Sequence, residues 1–224
     1  MSGYEQYVLE PETVQLLEEY GIPYPPHGLA HDALEAERIA EELGYSVVLK
    51  VVSPNVVHKS DAGGVLLGLG DGASVREGFE TLVKRVSSRV PGARIEGALV
   101  CQEAPEGLEV IVGALEDATF GPTVMVGMGG VFTEVLRDVS FRVAPLETRD
   151  AEEMIREIRG YPLLTGARGQ APLDVASLAE LLLSVSRLVT EHSEIKELDL
   201  NPVRLYENGL LVLDARMMLK TDQE

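Results

Sequence analysis

The stretch VVHKSDAGGV, residues 56–65, contains a histidine and a lysine followed, after three intervening residues, by a pair of glycines. Gly63 and Gly64 permit backbone angles that other residues avoid, and the amides of such a loop can bind phosphate oxygens. A histidine in this setting could accept a phosphoryl group on a ring nitrogen, which divides one difficult transfer into two easier ones. His58 is therefore a candidate catalytic residue, although a loop histidine without a catalytic role fits the same pattern.

Lys50 lies inside the apolar run Val47–Val52, which lacks the alternation of a half-exposed strand and predicts a strand that is covered on both faces. Removing a lysine from water costs several kcal/mol unless an anion meets it. The side chain therefore either extends to the edge of the sheet or binds a phosphate group.

Oxygen-bearing and apolar residues alternate near the C-terminus, where Glu197, Asp199 and Asn201 are separated by Leu198 and Leu200. In a strand, this spacing directs the three polar side chains to one face and the leucines to the core. The pattern predicts an oxygen-rich face on the terminal strand.

A two-residue turn at Asn208-Gly209 would pair Val203 with Asp214 and make Asn201 the diagonal neighbour of Asp214. Carboxylate and amide oxygens without histidine or thiolate favour a hard ion, and so few protein ligands suit Mg²⁺, which keeps water and binds nucleotide phosphates. The alternative is an acidic edge strand that faces solvent.

The elements that must position these residues alternate between helical and strand patterns, which predicts a mixed α and β fold. Capping residues and 3.6-residue periodicity predict helices, and apolar runs predict strands. The predicted helices are 12–20, one capped by Asp32 with Glu35, one capped by Ser74 with Glu77, 150–158 and 174–189; the predicted strands are Val47–Val52, Val65–Leu69, 95–102, 109–114 and a pair around 207–209.

Composition narrows the class of protein. A chain of 224 residues that is 45% hydrophobic can bury a core, and a net charge of -18 argues against a nucleic-acid partner.

The apolar runs are too short for a bilayer and the acidic N-terminus is unlike a signal peptide, so we expect a cytoplasmic protein with no membrane partner. Cys101 alone forms no internal disulfide, and scarce asparagine beside abundant Glu and Arg is typical of heat-adapted proteins.

Several motifs together resemble the beta subunit of the ADP-forming acetate–CoA ligases, also called ADP-forming acetyl-CoA synthetases. The motifs, in order, are YGIPYPP, VVLKVVSPNVVHKSDAGGV, EVIVG, FGPTVMVGMGGVFTEVLRDVSFRVAPL, YPLLTGARG and IKELDLNPV. The resemblance covers nearly the whole chain. It implies an ATP-grasp fold, an α+β (α/β) architecture in which two lobes clamp a nucleotide. The single domain 1–224 would have a small lobe, 24–100, and a large lobe, 101–224, with the N-terminal helix 1–23.

The resemblance also implies a reaction in which acyl-CoA, ADP and phosphate give the acid, CoA and ATP, and it places His58 at the position of the second phosphohistidine of the family. Lys50 matches the phosphate-binding lysine. Asp199 matches the acid that orients or stabilises the incoming phosphohistidine of the alpha subunit.

The cofactors that the resemblance implies are ATP or ADP with Mg²⁺. Glu103 and Glu109 occupy positions that hold the adenine edge and the ribose in ATP-grasp proteins. Asn201 and Asp214 match the magnesium ligands.

A partner chain is implied as well. The sequence has no CoA-binding Rossmann segment and no second histidine motif, so we expect an alpha subunit that carries the CoA-binding domains and the first phosphohistidine, with two alpha and two beta chains in the assembly. The alternatives are a stand-alone ATP-grasp carboxylate ligase, the related succinyl-CoA synthetase beta subunit, and a nucleotide-binding regulatory module without turnover.

Overall fold

The computed structural model describes residues 6–130, 138–169 and 171–220. Its helices are α1 Glu10–Glu19, α2 Ala33–Leu43, α3 Gly72–Arg89, α4 Thr148–Glu157, α5 Tyr161–Leu164 and α6 Val175–Glu191. Its strands are β1 Gln6–Val8, β2 His27–Ala30, β3 Val47–Val52, β4 Val65–Leu69, β5 Gly97–Gln102, β6 Leu108–Asp117, β7 Gly121–Met128, β8 Val139–Val143, β9 Ile195–Leu205, β10 Leu210–Val212 and β11 Ala215–Leu219.

The chain divides into two compact units. The small unit comprises Leu9–Glu12 and Pro25–Pro105, and the large unit comprises Met1–Val8, Thr13–Tyr24 and Glu106–Glu224. The boundary follows Pro105, whereas the sequence places it after residue 100, and the first residues of α1 belong to the small unit. The assignment of the two predicted lobes to nucleotide binding stays a prediction.

The small unit is built on an antiparallel sheet in the order β2-β5-β3-β4. All six residues of β3 are buried, as the unbroken apolar run predicts. Val47, Leu49 and Val51 share a core with α2 and α3, so the alternation of the strand places Val48, Lys50 and Val52 on the opposite face. The prediction of a strand covered on both faces is confirmed.

The large unit contains a larger antiparallel sheet in the order β1-β11-β9-β6-β7-β8, with β10 paired to β9. Helices α4 and α6 pack together and against β6, β7 and β8. The six apolar residues that the sequence assigns to the inner side of α6 are all buried, namely Leu178, Leu181, Leu182, Val185, Leu188 and Val189. This sheet positions the polar residues of β9.

Two capping predictions need correction. Helix α3 begins at Gly72 with Asp71 as the N-cap, and Ser74 completes the capping box from the third helical position, so the predicted cap of Ser74 with Glu77 is wrong. Asp32 does cap α2, but the carboxylate of Glu35 accepts the amide of His31 at 2.9 Å. In α3 the cap lies three residues earlier than predicted, and in α2 the glutamate accepts the amide of the residue before the cap.

No helix within the described residues is long and apolar enough to span a bilayer. Cys101 is buried in β5, as expected for a small core residue.

Candidate functional site

Strand β3 places Lys50 on a buried face of the small unit, where the lysine is 7% exposed. Its Nζ donates to Oε1 of Glu10 at 2.9 Å. Of the two alternatives, extension to the edge of the sheet is therefore not what the structure shows. In this structure, the anion that meets the ammonium group is a carboxylate of the same chain, and phosphate binding by Lys50 stays a prediction.

Glu10 serves a second lysine as well. Nζ of Lys59 lies 3.2 Å from Oε2 of Glu10, while Lys50 uses the other oxygen. The side chains of Glu10, Lys50 and Lys59 are 2%, 8% and 10% exposed. We call these three residues the buried ion cluster. Such weak exposure leaves little water to screen the charges, so the loss of one member would leave another charge buried without compensation.

His58 precedes Lys59 in a tight turn, where its side chain is exposed. The turn is closed by backbone bonds from the amides of Ala62 and Gly64 to the carbonyls of His58 and Lys59, at 3.1 and 2.7 Å. We refer to residues 58–64 as the His58 loop. His58 thus has an exposed side chain, while the next residue in the chain, Lys59, has a buried and paired ammonium group.

The two glycines of the His58 loop have different functions. Gly63 adopts a φ of +69°, which a residue with a Cβ rarely adopts. A Cβ on Gly64 would lie 2.4 Å from Cγ1 of Val51, so this glycine allows the loop to pack directly against β3.

In the large unit, β9 has the predicted alternation. Leu198 and Leu200 are buried, whereas Asp199 is partly exposed and Asn201 is exposed. Asp199 pairs with Arg216 of β11 across the sheet, and directly opposed side chains share a face. A cavity of about 300 Å³ adjoins Asp199 and is lined by Gly113, Met125 and Glu197 among others.

The register of the terminal hairpin differs from the prediction. Leu205 pairs with Leu210 and Val203 with Val212, so the loop is 206–209 and not the predicted two-residue turn. The predicted pairing of Val203 with Asp214 is therefore wrong. Asn201 instead lies opposite Asp214, to whose carbonyl its amide donates at 3.1 Å.

This correction brings the two predicted magnesium ligands to neighbouring positions. Oδ2 of Asp214 lies 3.5 Å from Nε of Arg216, and the side chain of Asp214 is 18% exposed. An amide and a carboxylate oxygen at adjacent positions, accessible to water, fit a hard cation that retains water ligands. No group of three or more His, Cys, Asp or Glu side chains suited to a metal occurs in the described parts of the chain, so any such ion would rely on few protein ligands. Metal binding by Asn201 and Asp214 stays a prediction.

Glu103 and Glu109, which are predicted to hold the adenine edge and the ribose, belong to different units. Glu103 follows β5 in the small unit, and its amide donates to the carbonyl of Ser46 at 2.9 Å. Glu109 lies in β6 of the large unit, where its Oε1 accepts from both Nε and Nη2 of Arg204 at 3.2 Å. An arginine thus orients Glu109, and the predicted adenine and ribose contacts stay predictions.

Gly127 and Gly129 of the GMGG segment are required by the neighbouring strands. A Cβ on Gly127 would lie 2.8 Å from the carbonyl oxygen of Asp138, and one on Gly129 would lie 2.7 Å from the backbone of Glu109. At both positions, the close approach is therefore made by the protein's own backbone. The continuation of this motif, residues 131–137, lies outside the described residues.

Arg142 of β8 forms an ion pair with Glu157 of α4. The hydrogen bond from Arg142 lowers the pKa of Glu157, to which Ser140 also donates. The same bond raises the pKa of Arg142. This arrangement joins β8 to α4.

Sequence reasoning missed Glu10, Asp174 and Arg216. Glu10 could have been sought, because a buried lysine requires an anion and Glu10 stands just before the proline that begins a helix. Asp174 caps α6 through the amide of Ser177 and also accepts the amide of Gly209 at 2.8 Å. These bonds lower the pKa of Asp174, the bond from Ser177 having the largest effect.

The model of one known family, the ATP-grasp domain, matches residues 2–219. The chain belongs to the ATP-grasp family. It is 46% identical over 212 residues to the beta subunit of ADP-forming acetate–CoA ligase I from Pyrococcus furiosus, with 95% of this chain and 91% of that subunit covered. It is 50% identical over 212 residues to ADP-forming acetate–CoA ligase I from Archaeoglobus fulgidus. That alignment covers 95% of this chain but 31% of the relative, so the chain spans about a third of the longer protein.

Solved structures of acetyl-coenzyme A synthetase 1 from Ca. Korarchaeum cryptofilum match this ATP-grasp domain over most of its length. A complex with coenzyme A and Ca-AMPCP has a TM-score of 0.93 at 48% identity, covering 96% of this chain and 94% of that one. A complex with coenzyme A and Mg-AMPPCP, in which a phosphohistidine segment points towards the nucleotide-binding site, has a TM-score of 0.82 at 45% identity, covering 96% and 93%. The predicted ATP-grasp fold is confirmed.

Proposed function

We propose that this chain is the nucleotide-binding beta subunit of an ADP-forming acetate–CoA ligase, and that it transfers a phosphoryl group from His58 to ADP. The overall reaction converts acyl-CoA, ADP and phosphate into acid, CoA and ATP, and it is reversible. The observation that carries the proposal is the exposed side chain of His58, whose neighbour in the chain, Lys59, belongs to the buried ion cluster, in a chain related over 95% of its length to a beta subunit of this ligase.

In the proposed step, the N–P bond of phosphorylated His58 breaks and a terminal oxygen of ADP forms the new P–O bond. The imidazole keeps the electron pair of the broken bond. Phosphoryl transfer depends mainly on positioning and on neutralising charge. Lys50 would provide one positive charge for the phosphates.

Asn201 and Asp214 would hold a magnesium ion, which supplies charge neutralisation to the nucleotide phosphates when bound. Glu103 and Glu109 would contact the adenine edge and the ribose. Asp199 would orient the phosphohistidine that arrives from the partner.

The proposed partner is an alpha subunit that carries the CoA-binding domains and the first phosphohistidine, in an assembly of two alpha and two beta chains in the cytoplasm. The lengths of the relatives support a partner, since this domain is nearly a whole subunit in one relative and about a third of a single chain in another.

The reverse step tests the proposal without a partner. Incubation with Mg·[γ-³²P]ATP should label the chain with phosphate that is stable in base and labile in acid, and ADP should discharge it. His58→Gln should abolish the label, whereas His31→Gln, which alters another exposed histidine of the small unit, should not. An unlabelled wild-type chain that still binds ATP would contradict the proposal and favour a ligase without a phosphohistidine.

A further inference from the structure

We propose that Glu10 is a positioning residue for the phosphoryl transfer, and that it acts by fastening the His58 loop through Lys59 while it holds Lys50 with its other oxygen. The consequence for catalysis rests on the function proposed above. The fastening itself follows from the contacts of the small unit and can be tested separately.

The geometry of the carboxylate supports this assignment. Each oxygen of Glu10 contacts a different ammonium group, at 2.9 Å for Lys50 and 3.2 Å for Lys59. Lys50 belongs to the central part of a buried strand, and Lys59 belongs to the turn that follows the exposed His58. One carboxylate thus joins the fully buried strand β3 to the loop that bears the candidate nucleophile.

Lys59 is held at both its side chain and its backbone. Glu10 binds the ammonium group, and the amide of Gly64 donates to the carbonyl of Lys59 at 2.7 Å. His58 precedes Lys59 directly in the chain. Its backbone therefore cannot travel far unless the pair between Lys59 and Glu10 breaks, and that pair is strengthened by its burial.

The position of Glu10 suits this function because it lies in the first turn of α1. The amides at a helix N-terminus favour a negative charge, so the carboxylate is stabilised in its ionised form. A side chain on a helix is also held more precisely than one on a loop. A carboxylate that only neutralised Lys50 would need no contact with Lys59.

Hydrogen exchange tests the fastening without reference to catalysis. In Glu10→Gln and in Lys59→Met, the amides of Ala62 and Gly64 should exchange at least about five times faster, while the amides of β5 keep their protection. Glu12→Gln, which removes the same charge from an exposed position of the same helix, should change neither. Wild-type exchange at Ala62 and Gly64 in both variants would overturn the proposal. Lys59→Met leaves the pair of Glu10 with Lys50 in place, so it carries the test even if Glu10→Gln does not fold.

Labelling of His58 by Mg·[γ-³²P]ATP then tests the consequence. Each single variant should slow labelling about tenfold and change ATP affinity less than about threefold, and the double variant should be no slower than the slower single variant. Additive slowing would show that Glu10 and Lys59 act independently and would overturn the proposal. An unlabelled wild-type chain would contradict the proposed function instead, and the exchange result would still decide whether Glu10 fastens the loop.

Discussion

The charged groups of the two units are arranged in opposite ways. In the small unit, Glu10, Lys50 and Lys59 are at most 10% exposed and contact one another. In the large unit, the charged side chains on β9 and beside it, which we call the β9 face, are more accessible. Asp214 is 18% exposed and Arg216 is 28% exposed. Glu109 reaches 36%. The charged side chains of the buried ion cluster are therefore largely removed from water, whereas those of the large unit are accessible to it.

This difference separates two ways in which a charge can serve phosphate chemistry. A buried cluster holds its charged side chains in fixed positions. The loss of one of them leaves another charge without a counter-charge in a medium of low dielectric. An accessible acidic face contributes little to stability, because water screens its charges, yet it can exchange water for a cation or a substrate. We therefore expect mutations in the buried ion cluster to act first on stability, and mutations on the β9 face to act first on binding.

The largest expected effect on stability is that of Lys50→Met. The free energy of unfolding should fall by about 3 kcal/mol, near the lower end of the range for breaking a buried ion pair, because Lys59 remains on Glu10. Lys84→Met removes a lysine from an exposed pair with Glu80 on α3, and its effect should stay within about 0.5 kcal/mol. Denaturant unfolding of both variants measures the contrast. Equal effects would show that burial does not distinguish the two kinds of charge.

Elements of the fold that depend on local sequence patterns could be predicted, whereas elements that depend on contacts between distant residues could not. Strands β3 and β9 and helix α6 could be predicted because the pattern of apolar and polar residues is visible in consecutive positions of the sequence. Strand β2, with the sequence HGLA, has no such pattern and exists because it pairs with β5. The sequence pattern predicts no element at these four residues.

Long-range contacts account for the errors at the site. Glu10 is 40 residues from Lys50 in the sequence, and no spacing rule connects them. The hairpin register was wrong because an Asn-Gly pair also occurs in longer loops, and here the loop includes Tyr206, whose amide binds the carbonyl of Gly209 at 3.0 Å. The individual residues could be identified from their chemistry, but their partners could not.

Asp174 provides an intermediate case in the large unit, since it is a carboxylate held by amides rather than by counter-ions. Asp174→Ala should lower the free energy of unfolding by about 1–2 kcal/mol, because α6 loses its cap and the hairpin loses the bond from Gly209. Asp174→Asn retains a good cap and should cost less.

The pH dependence of this effect has a definite sign. The pKa of Asp174 is lowered in the folded protein from 3.8, so the stabilisation by its charge is complete above that value and is lost as the pH falls through the lower folded pKa. The difference in stability between the wild type and Asp174→Asn should therefore shrink below about pH 4. Unfolding curves at several acidic pH values measure it, and a difference that grows towards low pH would contradict the assignment.

The smallest expected effect on stability is that of Asp214→Asn, which should change the free energy of unfolding by less than about 0.5 kcal/mol. Its effect on binding should be larger, since the variant loses the charged oxygen ligand proposed for magnesium. ATP affinity in the presence of Mg²⁺ should fall by at least about tenfold, or ~1.4 kcal/mol, whereas affinity in EDTA should stay nearly the same. Glu207→Gln removes one charge from an exposed position of the same hairpin and should change neither quantity. Equal losses of affinity with and without Mg²⁺ would assign Asp214 to the nucleotide itself, and a large loss of stability would remove the contrast between the two units.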